Sequence, residues 1–390
     1  MKKEKICIIC NDPFSDYLLN RGKECIEKYF NPLLKFETHI ISFEDCYKYQ
    51  TRKIGTLIIH PFCEKQFKKT LFYPWRVIRT LSRHLLRGIK IIKIIKIEKI
   101  QLVRGYGISN LAFIGLIASK ITKKPYIISL HNDYDYMFKL KGKTKRIMWH
   151  FLEKLTIKFS DFVIVVSPFL IEYAKKHGNK KVVYIPNPLD LEKFIEVGKK
   201  RTFNEKEEKT LIFAGRFFDP QKNFYRLLVA YSKIKSELRE KSKLFVLGDY
   251  GGKLGYYKEL TKKLGIEKNV EFIGRVPRTE MPLWYMKGDF LLLPSLYEAL
   301  PNALIEGMAT GLPVLTSKHP SCTYLVDESN GVIVNPLNVD EIKEGIEKLL
   351  SMKQEEYKEK AENSVKKVKN FNDEEVFKKV AFLYEKLIKR

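Results

Sequence analysis

The sequence has few cysteines and no long apolar run. Six cysteines in 390 residues are too few for a disulfide scaffold, and the pair Cys7-x2-Cys10 lies in an apolar run without a second pair to complete a zinc site. No stretch approaches the roughly 18 consecutive apolar residues that a membrane-spanning helix needs. The start, Met1 to Lys5, leads into an apolar run of only five residues and does not predict a secretory signal. We expect a soluble cytoplasmic protein with buried thiols.

The composition fits a folded protein of two domains. Hydrophobic residues make up 45% and charged residues 30% of the chain, a mixture that can bury a core. Short apolar runs alternate with amphipathic stretches, which is typical of strand-helix units that feed a parallel sheet. The predicted strands are 5–10, 36–42, 56–60, 101–104, 126–130, 162–167 and 181–185, followed by 210–214, 243–247, 270–273, 290–294, 313–316 and 331–334.

This pattern predicts an α/β protein with two doubly wound domains. We place the first domain at 1–190, a polar and charge-rich linker at 191–209, the second domain at 210–370 and a final helix at 371–390. Ligands of open parallel sheets bind outside the carboxyl ends of the strands. The residues that follow each strand are therefore the candidates for function.

Positive charge is concentrated in the first half. The net charge is +26, and residues 1–200 hold 39 Lys and Arg against 18 Asp and Glu. Near 74–97 a basic amphipathic helix is predicted, because cations and apolar residues recur in two stripes at spacings of three and four. The cations are Arg76, Arg79, Arg83, Arg87 and Lys90, and the apolar residues are Trp75, Ile78, Leu81, Leu85 and Ile89.

Three interpretations of this helix remain open. Its apolar stripe packs on its own domain, or it binds an anionic membrane surface, or it binds nucleic acid. Because no zinc-finger spacing, heptad zipper or aromatic RNA-binding signature accompanies the charge, a nucleic-acid partner is not expected. The membrane interpretation is favoured.

Two segments of the second half follow strands and carry suitable chemistry for a phosphate ligand. In the first, the strand 211–214 runs into Gly215, which permits a close turn, and then into Arg216 and Lys222. Arginine offers a planar fork of donors and lysine a mobile point charge. Two such cations converging at one sheet edge suit a diphosphate.

The second segment, 294–313, predicts a short helix with an anion site at its beginning. Pro301 fits the first helical position, and Gly311 fits the end. The free amides of Asn302 and Ala303 would bind an anion. Glu306 lies one turn further on the same face, near a ribose attached to a diphosphate at the amides. Glu298 precedes the helix and would point toward the group on the other phosphate.

The motifs Gly215-Arg216 and Lys222-Asn223, together with 298–307 and 311–313, resemble those of the retaining family 4 glycosyltransferases, the glycosyl transferases of group 1. The first half is similar more loosely, through 124–133, 166–167 and 185–190. The resemblance implies the GT-B fold, with two doubly wound, Rossmann-like domains facing across a cleft. It also implies an N-terminal acceptor-binding domain, a C-terminal domain that binds a nucleotide sugar, and a final helix that crosses back to the first domain.

The resemblance also implies roles for individual residues. Arg216 and Lys222 would contact the donor diphosphate, Glu306 the ribose, Glu298 the transferred sugar, and His131 would face the reaction centre. Leu300, Asn302, Ala303 and Val276 would complete the donor site. In two places the chain departs from the family: the glycine pair that members commonly carry after the first strand is replaced by Cys10-Asn11-Asp12-Pro13, and Gly307 follows Glu306 where alanine is frequent.

Sugar transfer builds negative charge on the departing diphosphate, which fixed cations and oriented amides stabilise. No metal and no cofactor are therefore expected, and Asp133-Tyr134-Asp135, a match to the metal-binding Asp-x-Asp of another fold, lies in the half that does not bind the donor.

The function predicted is retaining transfer from a UDP or GDP sugar to a glycan or lipid-linked acceptor, in polysaccharide or glycoconjugate synthesis, by an enzyme peripheral to the inner face of the cell membrane. Two alternatives stay open: a sugar-nucleotide epimerase of the same fold, and a non-catalytic basic protein that binds membrane surfaces.

Overall fold

The computed structural model describes residues 3–10, 23–45, 51–64, 73–132, 143–202, 207–216 and 220–389. The chain forms two compact units. The first comprises Met1–Pro188 and Glu374–Arg390, and the second comprises Leu189–Asp373. Each unit is built on one sheet with helices packed against it.

The described strands number fourteen, eight in the first unit and six in the second. Those of the first unit are β1 (Lys5–Ile9), β2 (Glu37–Asp45), β3 (Arg52–Ile54), β4 (Leu57–Glu64), β5 (Leu102–Tyr106), β6 (Tyr126–Leu130), β7 (Phe162–Val165) and β8 (Val182–Tyr184). Those of the second unit are β9 (Lys209–Arg216), β10 (Ser242–Asp249), β11 (Val270–Gly274), β12 (Phe290–Leu293), β13 (Val314–Ser317) and β14 (Gly331–Val334).

The helices fall between most of the strands, as strand-helix repeats require. They are α1 (Lys23–Phe30), α2 (Tyr73–Ile97), α3 (Asn110–Ile121), α4 (Lys143–Phe159), α5 (Phe169–Lys176), α6 (Glu192–Gly198), α7 (Phe224–Ser232), α8 (Ser236–Glu240), α9 (Leu254–Lys263), α10 (Met281–Lys287), α11 (Asn302–Ala309), α12 (Pro320–Thr323), α13 (Val339–Leu350), α14 (Gln354–Val368) and α15 (Asp373–Ile388). Short 3-10 helices lie at Pro32–Leu34, Pro220–Lys222 and Lys369–Phe371.

The sheet of the first unit has the order β3-β4-β2-β1-β5-β6-β7-β8. All its pairs are parallel except β3 with β4. All thirteen strands predicted from the sequence are present, two of them (126–130 and 331–334) with the predicted ends and the others with shifted ends, and β3 was missed. It is a three-residue edge strand, Arg52-Lys53-Ile54, which is too short and too polar to show an apolar run.

The final helix α15 packs in the core of the first unit. Val380, Tyr384 and Leu387 are buried in the same cluster as Ile8 of the central strand β1. The amphipathic face of α15 thus has a partner within this unit, and its burial removes apolar surface from water.

The sheet of the second unit has the order β11-β10-β9-β12-β13-β14, and all its pairs are parallel. The chain builds outward from β9 in one direction, then returns to place β12 on the other side of β9. The strand order therefore reverses between β9 and β12. At such a switch point the connections on the two sides diverge and leave a crevice at the carboxyl ends of the strands.

The linker predicted at 191–209 is wrong for the part that the structure describes. Residues 192–198 form α6, which belongs to the second unit, and Phe194 is buried there. Arg201 is also buried, and its guanidinium donates to the carbonyls of Tyr285 and Gly288 at the end of α10 and of Thr310 at the end of α11. The last carbonyls of a helix have no intrahelical partner, so this arginine satisfies two helix ends at once. The charge-rich composition concealed this role.

Candidate active site

The loops that follow β9 and β12 meet through an ion pair. The Nζ of Lys222 lies 2.6 Å from Oε1 of Glu298. The Glu298 side chain is almost fully buried and the Lys222 side chain is mostly buried. Because β9 and β12 are neighbours in the sheet, their loops are brought to the same crevice although 76 residues separate the two charges.

Backbone and side-chain hydrogen bonds fix these two loops against each other. Gln221 accepts from the amide of Leu296 at 2.7 Å and donates to the carbonyl of Tyr297 at 3.1 Å. Gly215 lies under the aliphatic part of Lys222, since a Cβ at this position would come within 3.3 Å of two Lys222 carbons. The close turn predicted at Gly215 is wrong, because Gly215 lies inside β9 and pairs with Gly248; its missing side chain instead leaves room for Lys222 to cross the strand end.

Asn223 joins the same loop to two further strand ends. It takes the left-handed backbone conformation, with φ of 57°, which asparagine tolerates better than most residues. Its amide nitrogen donates to the carbonyls of Pro294 and Pro336, at 3.0 and 2.6 Å. These residues follow β12 and β14, so one side chain ties three strand ends together.

Helix α11 presents an uncapped N-terminus in this region. It begins at Asn302, one residue after the predicted start, with Pro301 as N-cap and no side-chain cap. The amides of Leu304 and Ile305 bond to the Pro301 carbonyl, whereas Asn302 and Ala303 precede the first residues able to make intrahelical bonds. Gly311, with φ of +75°, stands just beyond the helix end, as predicted.

Glu306 is buried one turn into α11 and pairs with an arginine that the sequence did not single out. Nη2 of Arg278 lies 3.1 Å from Oε1 of Glu306. The fully buried ring of Tyr285 is close enough to be influenced by this carboxylate. Burial raises the pKa of Tyr285 well above its usual value, and the negative charge of Glu306 raises it further. The Tyr285 hydroxyl is therefore a neutral donor at physiological pH.

Three buried polar atoms in this part of the chain lack a hydrogen-bond partner among the described residues. They are Oγ of Ser295, Oδ1 of Asn302 and the hydroxyl of Tyr285. Buried polar groups in folded proteins are nearly always paired. Ser295 follows β12 and Asn302 begins α11, so two of these unpaired atoms lie on the segment that carries Glu298.

Two family models match the chain. Residues 36–193 match the model described as Glycosyltransferase Family 4, and residues 195–368 match the model described as Glycosyl transferases group 1. The chain belongs to the family 4 glycosyltransferases.

Individual relatives agree with this family. An uncharacterized glycosyltransferase of Methanocaldococcus jannaschii is 29% identical over 252 residues, which cover 61% of this chain and 63% of the relative. The alpha-monoglucosyldiacylglycerol synthase of Streptococcus pneumoniae is 30% identical over 236 residues, which cover 56% of this chain and 52% of the relative. The chain thus matches between half and two thirds of the length of these two relatives.

A solved structure shows the same fold. HepE of Anabaena in complex with UDP-glucose is similar with a TM-score of 0.71 and 17% sequence identity, over 98% of this chain and 100% of that chain. Both units of this family 4 glycosyltransferase thus have the parallel-sheet architecture of the GT-B fold that the sequence predicted.

The remaining predicted donor residues lie in the second unit of the glycosyltransferase. Arg216 is exposed at the last position of β9. Leu300 is buried just before α11, and Val276 is half-buried after β11. The structure joins Lys222 to Glu298 directly, and places Glu306 with Arg278.

His131 lies in the first unit, directly after β6. Its ring stacks on Tyr106 with a centroid distance of 4.4 Å. Arg104 belongs to the same cluster: its guanidinium lies 4.6 Å from the Tyr106 ring centroid and donates to Ser129 at 2.8 Å. The aromatic stack thus fixes the plane of the histidine ring, a role for Tyr106 and Arg104 that the sequence did not reveal.

Two predictions fall on residues outside the described ranges. They are the Asp133-Tyr134-Asp135 motif and the segment after Cys10 in which the family commonly carries a glycine pair.

The basic helix predicted near 74–97 is α2, Tyr73–Ile97. Its C-terminal half buries Ile91, Ile94 and Ile95, whereas Leu85 and Leu86 are each 66% exposed. With Phe113 and Ile117 of α3 and Leu152 of α4, α2 lines an apolar cavity of about 590 Å³. The described part of the predicted apolar stripe therefore does not pack fully on its own unit. We call this cavity and its exposed rim the α2–α3 groove.

Arg278 could not be found from the sequence. The sequence carries 72 Lys and Arg, so a single arginine after a strand is not a signal. Only the chain path from β11 into α10 brings it to Glu306.

Among the described helices, none combines the length and the apolar character that a membrane span requires.

Proposed function

We propose that this glycosyltransferase moves a sugar from a nucleoside-diphosphate sugar to a lipid-linked or glycan acceptor at an anionic membrane surface. The observation that carries the proposal is the buried Lys222–Glu298 pair at the strand-order reversal of the second unit. Beside it lie an uncapped helix N-terminus and several unsatisfied polar atoms. A diphosphate supplies acceptor oxygens for the lysine and the amides.

The charges of the site suit stabilisation of a leaving diphosphate. Lys222, Arg216 and the amides of Asn302 and Ala303 would bind the negative charge that develops as the bond at the anomeric carbon breaks. Glu306, oriented by Arg278, would accept hydrogen bonds from the ribose hydroxyls. Glu298 would then lie beside the sugar, and a role for His131 in the reaction stays a prediction. Because the protein supplies this positive charge, we propose a metal-independent reaction. We propose retention on the family resemblance alone.

A uridine nucleotide is our first choice of donor. HepE, which shares the fold at 17% identity, was solved with UDP-glucose, and this supports a UDP sugar without excluding GDP. The test is the melting temperature of the purified chain with UDP, GDP and ADP, each with and without EDTA. At about 100 times its dissociation constant a nucleotide stabilises by roughly 2.7 kcal/mol, a shift of a few degrees.

A shift with one nucleotide that EDTA does not abolish would support the donor site and identify the base. No shift with any of the three would remove the support for a nucleotide-sugar enzyme and favour a non-catalytic surface-binding protein. Incubation with the sugar nucleotide alone, followed by NMR of the anomeric and ring protons, separates transfer from epimerisation. An epimerase changes the sugar of the donor without an acceptor, and a transferase does not.

The α2–α3 groove supports the acceptor and membrane parts of the proposal. Exposed leucines beside Arg83, Arg87 and Lys90 offer apolar contacts together with attraction to anionic headgroups. The pneumococcal relative is named for synthesis of a glucosylated diacylglycerol, which favours an acceptor embedded in a bilayer. We also place the enzyme at the inner face of the cell membrane, where anionic lipids and sugar nucleotides are both present.

Flotation with anionic and neutral vesicles tests this part separately. We expect binding to anionic vesicles only, and loss of binding when Leu85 and Leu86 are both changed to Asp. The matched control is Leu283→Asp, because Leu283 is 59% exposed in the second unit. Equal absence of the wild type from both kinds of vesicle would contradict membrane association and leave the nucleotide test unaffected.

A further inference from the structure

A cluster of two histidines and one glutamate lies in the first unit, outside the residues assigned to sugar transfer. His150 and Glu153 are three residues apart on α4 and therefore share a face of that helix. His177 is the C-cap residue of α5. One ligand atom from each of the three lies within 4.8 Å of the other two. Two imidazoles and a carboxylate are a donor set that transition-metal ions, and Zn²⁺ in particular, bind in proteins.

The distance between His150 and Glu153 fits ligands of one tetrahedral ion. Nδ1 of His150 lies 3.4 Å from Oε2 of Glu153. A charge-assisted hydrogen bond between such atoms is shorter, about 2.7–2.9 Å. Two ligands bonded to a tetrahedral zinc at about 2.0–2.1 Å lie roughly 3.4 Å apart. The carboxylate of Glu153 is fully buried, where a cation between the two side chains would balance its charge.

Neighbouring groups orient two of the three ligands. The Tyr173 hydroxyl donates to Oε1 of Glu153, which leaves Oε2 on the side of His150. The Tyr173 carbonyl lies 2.8 Å from Nδ1 of His177. Since a carbonyl only accepts, Nδ1 carries the hydrogen and Nε2 presents its lone pair. Hydrogen bonds of this kind fix tautomer and ring orientation in metal sites.

The turn that carries His177 is held rigidly against α4. Asn179 is buried, and its amide nitrogen donates to the carbonyls of Ile157 and Ser160 at 2.7 and 2.8 Å. Gly178 takes a positive φ of 92°, which favours glycine. These hydrogen bonds hold the C-terminal end of α5 against the C-terminal end of α4. Because α4 and the end of α5 are held together, the three ligands that they carry are preorganised.

We propose that His150, Glu153 and His177 bind one Zn²⁺ ion, with a water molecule as fourth ligand. The ion would cross-link α4 and α5 within the first unit. Mg²⁺ is excluded as the occupant, because it requires near-octahedral oxygen coordination. The site is separate from the donor residues and does not depend on their assignment.

Zinc titration of the full-length chain tests the proposal. The protein is prepared without a polyhistidine tag, stripped with chelator and titrated calorimetrically with Zn²⁺ and with Mg²⁺. We expect one zinc per chain with a dissociation constant of micromolar or below, and no binding of Mg²⁺. Absence of zinc binding by the wild type would overturn the proposal.

Variants locate the ion. His177→Gln removes a half-exposed ligand, and zinc affinity should fall at least tenfold. Tyr173→Phe removes the hydrogen bond that orients Glu153, and affinity should fall 10- to 100-fold. His84→Gln, on α2, is the matched control and should leave affinity unchanged. Unchanged affinity in His177→Gln would mean that zinc binds elsewhere and would overturn the assignment.

Glu153 is buried, so Glu153→Gln is judged only if its circular dichroism spectrum matches the wild type. Cobalt substitution gives an answer that needs no variant. Co²⁺ in the wild type should show the intense visible absorption of a four-coordinate ion, and zinc should displace it at one equivalent. The weak spectrum of six-coordinate Co²⁺ would contradict the ligand set.

Discussion

The ammonium of Lys222 lies 2.6 Å from the carboxylate of Glu298, and the pair is mostly shielded from water. Removing one partner of such a pair leaves the other charge without its counterion, which costs more than loss of an exposed contact. A diphosphate that enters the crevice would share or take over the lysine. The two residues are therefore expected to respond differently to substitution, although they touch.

Lys222→Ala should weaken donor binding and slow transfer together. Removing a preorganised group that stabilises developing charge costs about 10²–10³-fold in rate, so we expect a fall of about 10²-fold in kcat and a raised dissociation constant for the nucleotide. The control is Lys243→Ala, because Lys243 forms an exposed pair with Glu208. Steady-state kinetics and nucleotide titration check both parts. Unchanged kinetics in Lys222→Ala would remove this lysine from the site.

Glu298→Gln should separate binding from turnover. The amide keeps the shape of the side chain but lacks the charge that holds Lys222, so the lysine is freer to bind a diphosphate. We expect nucleotide affinity equal to or tighter than that of the wild type, and a fall of about 10²-fold in kcat. Weaker nucleotide binding with unchanged kcat would mean that Glu298 only supports the loop.

Arg278→Gln should act through Glu306. The arginine fixes the Glu306 carboxylate at 3.1 Å, and without it the carboxylate loses its orientation toward a ribose. We expect nucleotide affinity to fall about tenfold, which corresponds to about 1.4 kcal/mol, and Arg278→Lys to restore part of it. Titration with UDP and with 2′-deoxy-UDP provides the check. The variant should no longer distinguish the two, and retained discrimination would assign the ribose to other groups.

The sequence indicated most of the residues that we propose for the donor site, but not the contacts between them. Lys222, Glu298, Asn302 and Glu306 follow strands or begin a helix, and local patterns of proline and glycine indicate such positions. The contact between Lys222 and Glu298 depends instead on β9 and β12 becoming neighbours, which is a property of the sheet and not of either segment.

Long-range partners were missed for the same reason. Arg201 satisfies the ends of α10 and α11 from a segment whose charge predicts a linker. Arg104 is buried beside Tyr106, and its Nη1 donates to the hydroxyl of Tyr384 at 2.7 Å, 280 residues later in the chain. Composition predicts that an arginine is exposed. Only the completed fold supplies the acceptors and rings that make burial possible.

Gly307→Ala should destabilise the second unit. A Cβ at Gly307 would lie 2.6 Å from Cδ2 of Leu291, which is buried in β12 directly beneath α11. Overpacking of this kind costs about 1–3 kcal/mol, and the helix that carries Glu306 would shift. Gly255→Ala in α9 is the control, since no atom lies within 4 Å of the added carbon and alanine favours a helix. Thermal unfolding of both variants should show a lower midpoint for Gly307→Ala only, and equal midpoints would contradict the packing argument.

Acid should destabilise the first unit through a buried histidine pair. Nδ1 of His39 lies 2.9 Å from Nε2 of His60. Burial, with a smaller contribution from His39, lowers the pKa of His60 to about 4, and burial also lowers the pKa of His39. In the unfolded chain both groups have a pKa of about 6.5. Between pH 6.5 and pH 4 the unfolded state binds protons that the folded state does not. The free energy of unfolding that the neutral pair contributes above pH 6.5 is therefore lost as the pH falls toward 4.

For His60 alone this linkage amounts to about 2 kcal/mol between pH 7 and pH 5. Urea unfolding of the full chain at the two pH values measures it, with hydrogen exchange of peptides from β2 and β4 to assign the change to the first unit. His60→Gln does not titrate, so the difference between pH 7 and pH 5 should shrink by that amount even if the variant is less stable at both. An unchanged difference would show that the pKa of His60 is the same in the folded and unfolded states, which would contradict the proposed effect of burial.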